Sequence, residues 1–263
     1  MHNIKAVWAY RYFIFSSIAT EFRSRFARSR LGGAWMILHP LAQVAIYALV
    51  LSAVLAAKLP GIDNRFAYAI YLMAGTLAWS LFSEVFGRSL GVFVDNANLI
   101  KKMAFPKIAL PIIVALSAFV NNLLLLGAIL VVFGLLGHYP ALSLVWLPFL
   151  VAITLALAIG LGLVFGVINV FIRDVGQVVP ILLQFWFWLT PIVYMPDAIP
   201  AKYHPLLMLN PMSGVVMAYQ DVLVYGRFPH VGTLAYPLIL SAAALALALF
   251  MVFRANEEMA DVL

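Results

Sequence analysis

From Leu142 to Phe171 the chain reads LSLVWLPFLVAITLALAIGLGLVFGVINVF, without one charged side chain. No other feature bounds the fold so tightly. About 20 consecutive apolar residues cross the hydrocarbon core of a bilayer as a helix. Within that core every backbone N–H and C=O must pair inside the protein, so a span is either a helix or a strand of a closed barrel. Barrel strands alternate polar and apolar side chains over about ten residues. The apolar blocks of this chain do not alternate, so an all-α integral membrane protein is expected.

Six spans can be read: Ala34–Ala57, Ala67–Phe86, Ile108–Leu136, Leu142–Phe171, Val175–Tyr194 and Leu234–Phe253. The composition agrees, with 65% hydrophobic and 10% charged residues and a mean hydropathy of +1.05. Residues 1–32 read as an amphipathic cytoplasmic or interfacial segment, and 33–263 as one six-helix transmembrane domain. The opening YRYFIFSSIATEF is short and interrupted by Arg11 and Glu21, a poor signal peptide. There is no cysteine, which excludes disulfides, thiol nucleophiles and thiolate metal sites.

The basic residues orient the spans. Lys5, Arg11, Arg23, Arg25, Arg28, Arg30, Arg88, Lys101, Lys102, Lys107, Arg173 and Arg254 fall on one side, and Lys58, Arg65, Lys202 and Arg227 on the other. Cytoplasmic loops are the basic ones, so both termini are expected in the cytoplasm. The net charge of +6 is thereby an orientation device, and no nucleic-acid partner is expected.

Trp8, Tyr12, Phe15, Ala19, Phe22 and Phe26 recur at spacings of four and three, one stripe of a helix, with Arg25 and Arg28 on the far face. That pattern suits a helix lying in the membrane interface. Arg23, Arg25, Arg28 and Arg30 would then lie at phosphate height, where arginine binds an oxyanion bidentately. General attraction to anionic lipid, with the helix a plain anchor, is the alternative.

Several chemistries are absent. No G-x-x-x-x-G-K-[ST] occurs, so the chain does not bind ATP through a P-loop. The five histidines lie far apart without metal-ligand spacing, and neither a metal site nor a cofactor is expected in this chain. Gly87-Arg88-Ser89-Leu90-Gly91 matches G-x-S-x-G, but a nucleophile elbow needs a strand-turn-helix, and this stretch ends an apolar helix. Close helix packing is the plainer reading of those glycines and of Gly162 and Gly166. Glu84 and Arg88, four apart, are expected to pair. No ladder of charges crosses the midplane, as a proton- or sodium-driven carrier would need.

Two segments stand out from the spans. In NANLIKKMAFPKIALP, within a loop of about residues 91–107, Asp95 or Asn96 can cap a short helix and Pro106 stops it. Leu99 and Met103 share a face that could fill a groove on a partner, flanked by Lys101, Lys102 and Phe105, or could simply rest on lipid head groups. Residues 195–232 carry five prolines yet stay apolar and aromatic, as re-entrant helices would. A plain interfacial loop is the alternative.

Aromatic rings offer flat apolar faces on which a passing molecule can stack without a fixed register. Trp35, Tyr47, Trp79, Trp186, Trp188 and Tyr194 are candidates to line a channel, with Gln177 and Gln184 to offer hydrogen bonds; membrane aromatics also face lipid or form interfacial belts.

SRLGGAWMILHPLAQVAIYALVLSAVL, YLMAGTLAWSLFSEVFGRS followed by NANLIKKMAFPKIALP, and NVFIRDVGQVVPILLQFWFWLTPIVY followed by LNPM together resemble the permeases of polysaccharide-export ABC transporters, over nearly the whole chain. The resemblance implies a homodimeric type 2 ABC permease in the bacterial inner membrane. It also implies a separate ATPase subunit that holds ATP and Mg, in line with the missing P-loop. The cargo would be a lipid-linked polysaccharide of O-antigen, capsule or teichoic-acid type, as in lipopolysaccharide biosynthesis. It further implies that the loop after span two is a coupling helix on the ATPase, that the N-terminal helix packs at the cytoplasmic gate, and that residues 195–232 form the external gate. The alternatives are a permease of the same fold exporting a drug or small lipid, and an intramembrane enzyme. The sparse acidic residues and the poor G-x-S-x-G context count against the enzyme.

Overall fold

The computed structural model of the chain describes residues 11–26, 31–35, 37–42, 45–46, 66–102, 108–140, 142–255 and 258–263. Their regular structure is helical throughout. In chain order the helices are α1 (Arg11–Phe26), α2 (Ala67–Asp95), α3 (Ala97–Lys102), α4 (Ala109–Leu135), α5 (Leu147–Phe171), α6 (Val175–Leu189), α7 (His204–Leu209), α8 (Pro211–Leu223), α9 (Val231–Arg254) and α10 (Glu258–Val262). A 3-10 turn at Leu142–Trp146 leads into α5. Most of the expected first span, Ala34–Ala57, lies outside the described residues.

Among the described residues four helices are long and apolar enough to cross a membrane: α2, α4, α5 with its leading turn, and α9. Three of them keep close to their expected limits. The fourth, α2, runs nine residues beyond Phe86, to Asp95. At 1.5 Å per residue it is about 44 Å long, more than the hydrocarbon core needs.

The expected fifth span is shorter than read. α6 has 15 residues and stops at Leu189, not at Tyr194. The reason is local: Thr190 precedes Pro191, whose ring disfavours a helical residue before it, and Thr190 is extended with ψ 138°. Pro191 to Tyr194 therefore carry carbonyls with no helical partner in an apolar layer. Side chains from other helices meet three of the four. Tyr68 of α2 donates to the Val193 carbonyl at 2.6 Å, and Tyr71 to that of Tyr194 at 3.1 Å. Gln220 of α8 donates to the Pro191 carbonyl at 2.9 Å. Orphaned backbone groups away from water are costly, so these bonds hold the segment in place.

α2 is the central element. Tyr71, Leu72, Leu77, Phe82, Val85 and Phe93 are nearly or fully buried. It packs against α5 through small residues. A Cβ on Gly162 would stand 2.6 Å from that of Ser89, and one on Gly166 would stand 2.6 Å from the Ser89 carbonyl oxygen. Only glycine permits that approach.

The segment 195–232 divides as its prolines demand, into 3-10 turns at Pro196–Ala198 and Ala201–Tyr203 and the short helices α7 and α8. One face of α8 is wholly enclosed. Met212, Val215, Val216, Tyr219, Val222 and Leu223 are all fully buried, so α8 belongs to the core.

Candidate functional site

A large cavity of about 910 Å³ lies between α2, α4, α6 and the residues Trp35, His39 and Pro40. Small-molecule sites occupy about 300–1,000 Å³. Thr76, Ser80, Ser83, Glu84, Gly87 and Arg88 fall on one face of α2 by their spacing of three and four, and all six line the cavity. α4 adds Asn121 and Asn122, and α6 adds Gln184, Phe187 and Trp188. One wall is thus polar and the other aromatic, with Trp35 and Trp79 among its rings.

At the Arg88 end the polar wall becomes a network spanning three helices. Arg88 Nη2 reaches both carboxylate oxygens of Glu21, on α1, at 2.8 Å. The expected pair with Glu84 also forms, more loosely, at 3.4 Å. Asn121 Nδ2 donates to Glu84 Oε1 at 2.7 Å. The Ser117 hydroxyl lies 2.9 Å from Glu21 Oε2 and 2.8 Å from the Ile113 carbonyl, so its single proton serves either. Arg88 and Glu21 are each about one-fifth exposed. A partly buried charge needs a partner, and each of these has one.

Of the residues singled out by their aromatic or amide character, Trp35, Trp79, Gln184 and Trp188 line this cavity. Trp186 and Tyr194 line a second, smaller one of about 330 Å³. Trp186 is anchored there: its indole N–H donates to Asn210 Oδ1 at 2.7 Å, and its ring stands edge-on to Phe82 with centroids 5.2 Å apart. The same Asn210 oxygen accepts from the Met212 N–H and caps α8. Gln177 is exposed and borders neither cavity. Tyr47 lies outside the described residues, as do Arg28 and Arg30; Arg23 and Arg25 fall on α1.

α1 meets the bundle through a face other than its aromatic stripe. Ile14 is buried, Ser17, Ile18 and Glu21 are half-buried, and Tyr12 and Phe15 point outward. Of the stripe, Tyr12, Phe15 and Ala19 are exposed and Phe22 is half-buried.

The short helix expected after α2 is α3. Asn96 does not begin it with a side-chain cap: its Nδ2 donates back to the Val92 carbonyl and closes α2, while its own carbonyl accepts from Leu99 and Ile100. Ile100 is buried in a cluster with Phe93, Val170 and Met259 of α10. Leu99 packs partly against the same cluster, so the outward residues are Asp95, Asn98 and Lys101. Lys102 ends α3, and Met103, Phe105 and Pro106 lie outside the described residues.

Ser89 of the G-x-S-x-G match is fully buried inside α2, not on a turn. Reading the sequence alone misses Glu21 as a functional residue, because its partner Arg88 is 67 positions away. The adjacent amides Asn121 and Asn122 inside an apolar span were a legible signal.

The profile described as ABC-2 type transporter matches residues 12–224. The O-antigen export system permease protein RfbA of Myxococcus xanthus is 29% identical over 242 residues, which cover 91% of this chain and 89% of that protein. RfbA of Klebsiella pneumoniae is 28% identical over 207 residues, 78% of each chain. The polysialic acid transport protein KpsM of Escherichia coli is 26% identical over 244 residues, 90% of this chain and 91% of that protein.

Proposed function

The chain belongs to the ABC-2 type transporter family, and from that premise we propose that it is the membrane subunit of an ATP-driven exporter of lipid-linked polysaccharide. As a transporter component it is not itself a catalytic enzyme. The observation that carries the reading is that an O-antigen export system permease protein and a polysialic acid transport protein each align with most of its length. The cavity supports it: aromatic faces opposite hydroxyl, amide and carboxylate groups suit a sugar, whose C–H faces and hydroxyls need both.

In this reading the chain crosses the bacterial inner membrane six times, with both termini cytoplasmic. Two copies pair, and a separate ATPase subunit supplies ATP and Mg. Trp35, Trp79, Gln184 and Trp188 line the passage, and Tyr47, Gln177, Trp186 and Tyr194 border it at other stages of movement. Arg23, Arg25, Arg28 and Arg30 meet the lipid phosphate at the cytoplasmic entrance. α3 and the loop to Pro106, with Asp95, Asn96, Leu99, Lys101, Lys102, Met103 and Phe105, couple the ATPase to α2 and α4. The short helices of 195–232 enter from the outer surface and form the external gate.

The test is deletion of the gene in its own host. Surface polysaccharide should disappear while its lipid-linked form accumulates inside, and the intact gene should restore export. Normal surface polysaccharide in the deletion strain would refute the reading.

A further inference from the structure

Arg88 is the only permanent cation among the described residues that line the large cavity. Its guanidinium already holds an oxyanion, because both oxygens of Glu21 approach Nη2 at 2.8 Å. That carboxylate comes from α1, a helix outside the four long spans. Its face on the bundle includes Ile14, Ser17, Ile18 and Glu21, and of these four Glu21 carries the charge. Ser117 stands ready as a hydroxyl donor at the same spot. Glu84, on the other side of Arg88, is held back by Asn121 and would stay in place if Glu21 left.

A phosphate group presents the same pair of oxygens to a guanidinium as a carboxylate does. Exchange of one for the other never leaves Arg88 without an anion, which is the costly state for a partly buried charge. The aromatic rings lining the same cavity, Trp79 and Trp188 among them, favour a phosphate attached to an apolar or sugar moiety.

We propose that Glu21 is a built-in stand-in for the phosphate oxyanion of the cargo: a phosphate-bearing amphiphile entering the cavity takes its place on Arg88 and frees α1 from α2. The inference rests on the export reading, in which the cargo is borne on a lipid phosphate. It makes the arrival of cargo and the release of the N-terminal helix one event, with each biased by the other's free energy.

The chain has no cysteine, so an Ala19→Cys variant carries one spin label on the exposed side of α1. The full chain in lipid nanodiscs is titrated with undecaprenyl phosphate in the bilayer and, separately, with inorganic pyrophosphate in solution. Label mobility should rise with the lipid phosphate. A response to pyrophosphate as well assigns recognition to the phosphate alone, and a response to the lipid alone assigns it to the membrane-borne form. Glu21→Gln should show raised mobility from the start and bind the lipid at least tenfold more tightly. Arg88→Gln should show raised mobility and no response. Arg88→Lys keeps the charge but has one nitrogen where Arg88 uses Nη2 for Glu21 and Nη1 for Glu84, and should respond at least tenfold more weakly, which guards against a misfolded glutamine variant. Unchanged affinity in Glu21→Gln, or an Arg88→Lys response equal to that of the unaltered chain, would overturn the proposal. If the chain restores export in its host yet its label answers neither probe, the clasp is wrong and the export reading stands. Loss of the export phenotype itself is read separately in the deletion strain.

Discussion

The indole N–H of Trp186 donates to the side-chain oxygen of Asn210 at 2.7 Å, and that oxygen also caps α8. One amide therefore ties α6 to the start of a buried helix. Trp186→Phe keeps a ring against Phe82 but removes the bond, and should lower stability by about 1 kcal/mol. Asn210→Ala removes the cap too and should cost more, about 1–2 kcal/mol beyond the loss of the indole bond. Thermal unfolding in detergent separates the two. If Trp186→Phe blocks export at unchanged thermal stability, the ring itself serves the passage.

The α2–α5 contact predicts opposite outcomes for two glycines. Gly162→Ala would press a methyl against Ser89 and the Phe86 backbone, with the nearest atoms at 2.6 and 2.9 Å. Overpacking of this kind costs about 1–3 kcal/mol. Gly127→Ala in α4 meets nothing within 4 Å and should be neutral or stabilising by up to about 1 kcal/mol. Paired melting curves on the two variants check this, and equal stability would contradict the packing.

Asp221, in the segment 195–232, pairs with Arg227 at 2.7 Å. Burial pushes its carboxyl above the ordinary range, and the bond and charge of Arg227 pull it part of the way back. A raised folded-state value means that the protonated form is favoured on folding. That contribution is full below the ordinary carboxylate pKa and is lost as pH rises through the shifted value. Arg227→Gln should deepen the loss, so its Tm should fall more steeply with rising pH than that of the unaltered chain. Parallel Tm–pH profiles would show that Arg227 does not act on Asp221.

How much of this was legible in the sequence depends on the range of the signal. The long helices are local, and their blocks mark α2, α4, α5 and α9. The end of α6 was legible too, since Pro191 constrains Thr190, yet a hydropathy reading runs straight through it to Tyr194. The burial of α8 was not legible, because an apolar helix between prolines reads alike at a surface or in a core. The clasp of Glu21 and Arg88 joins positions that no periodicity links; in the sequence Glu21 only interrupts an apolar run.

The outward side of α3 is the surface that a partner subunit would meet. With Ile100 buried and Leu99 turned partly inward, Asp95, Asn98 and Lys101 are the side chains offered to a partner. Lys101→Glu should weaken co-purification of the ATPase subunit and slow export, with the permease still inserting normally. Ile100→Asp should instead destabilise the permease itself by about 2 kcal/mol or more, as burial of an unpaired charge does. If Lys101→Glu retains its ATPase in full, docking uses the residues beyond Lys102.

The bonds from Tyr68 and Gln220 to the bend after α6 set an order on synthesis. Tyr68 leaves the ribosome long before Val193, 125 positions later, and Gln220 follows later still. Until α8 emerges, the Pro191 carbonyl lacks its amide partner and has only the longer bond from Tyr71, at 3.3 Å. A chain cut short near residue 200 would lack Gln220, and its bend would be held by Tyr68 and Tyr71 alone.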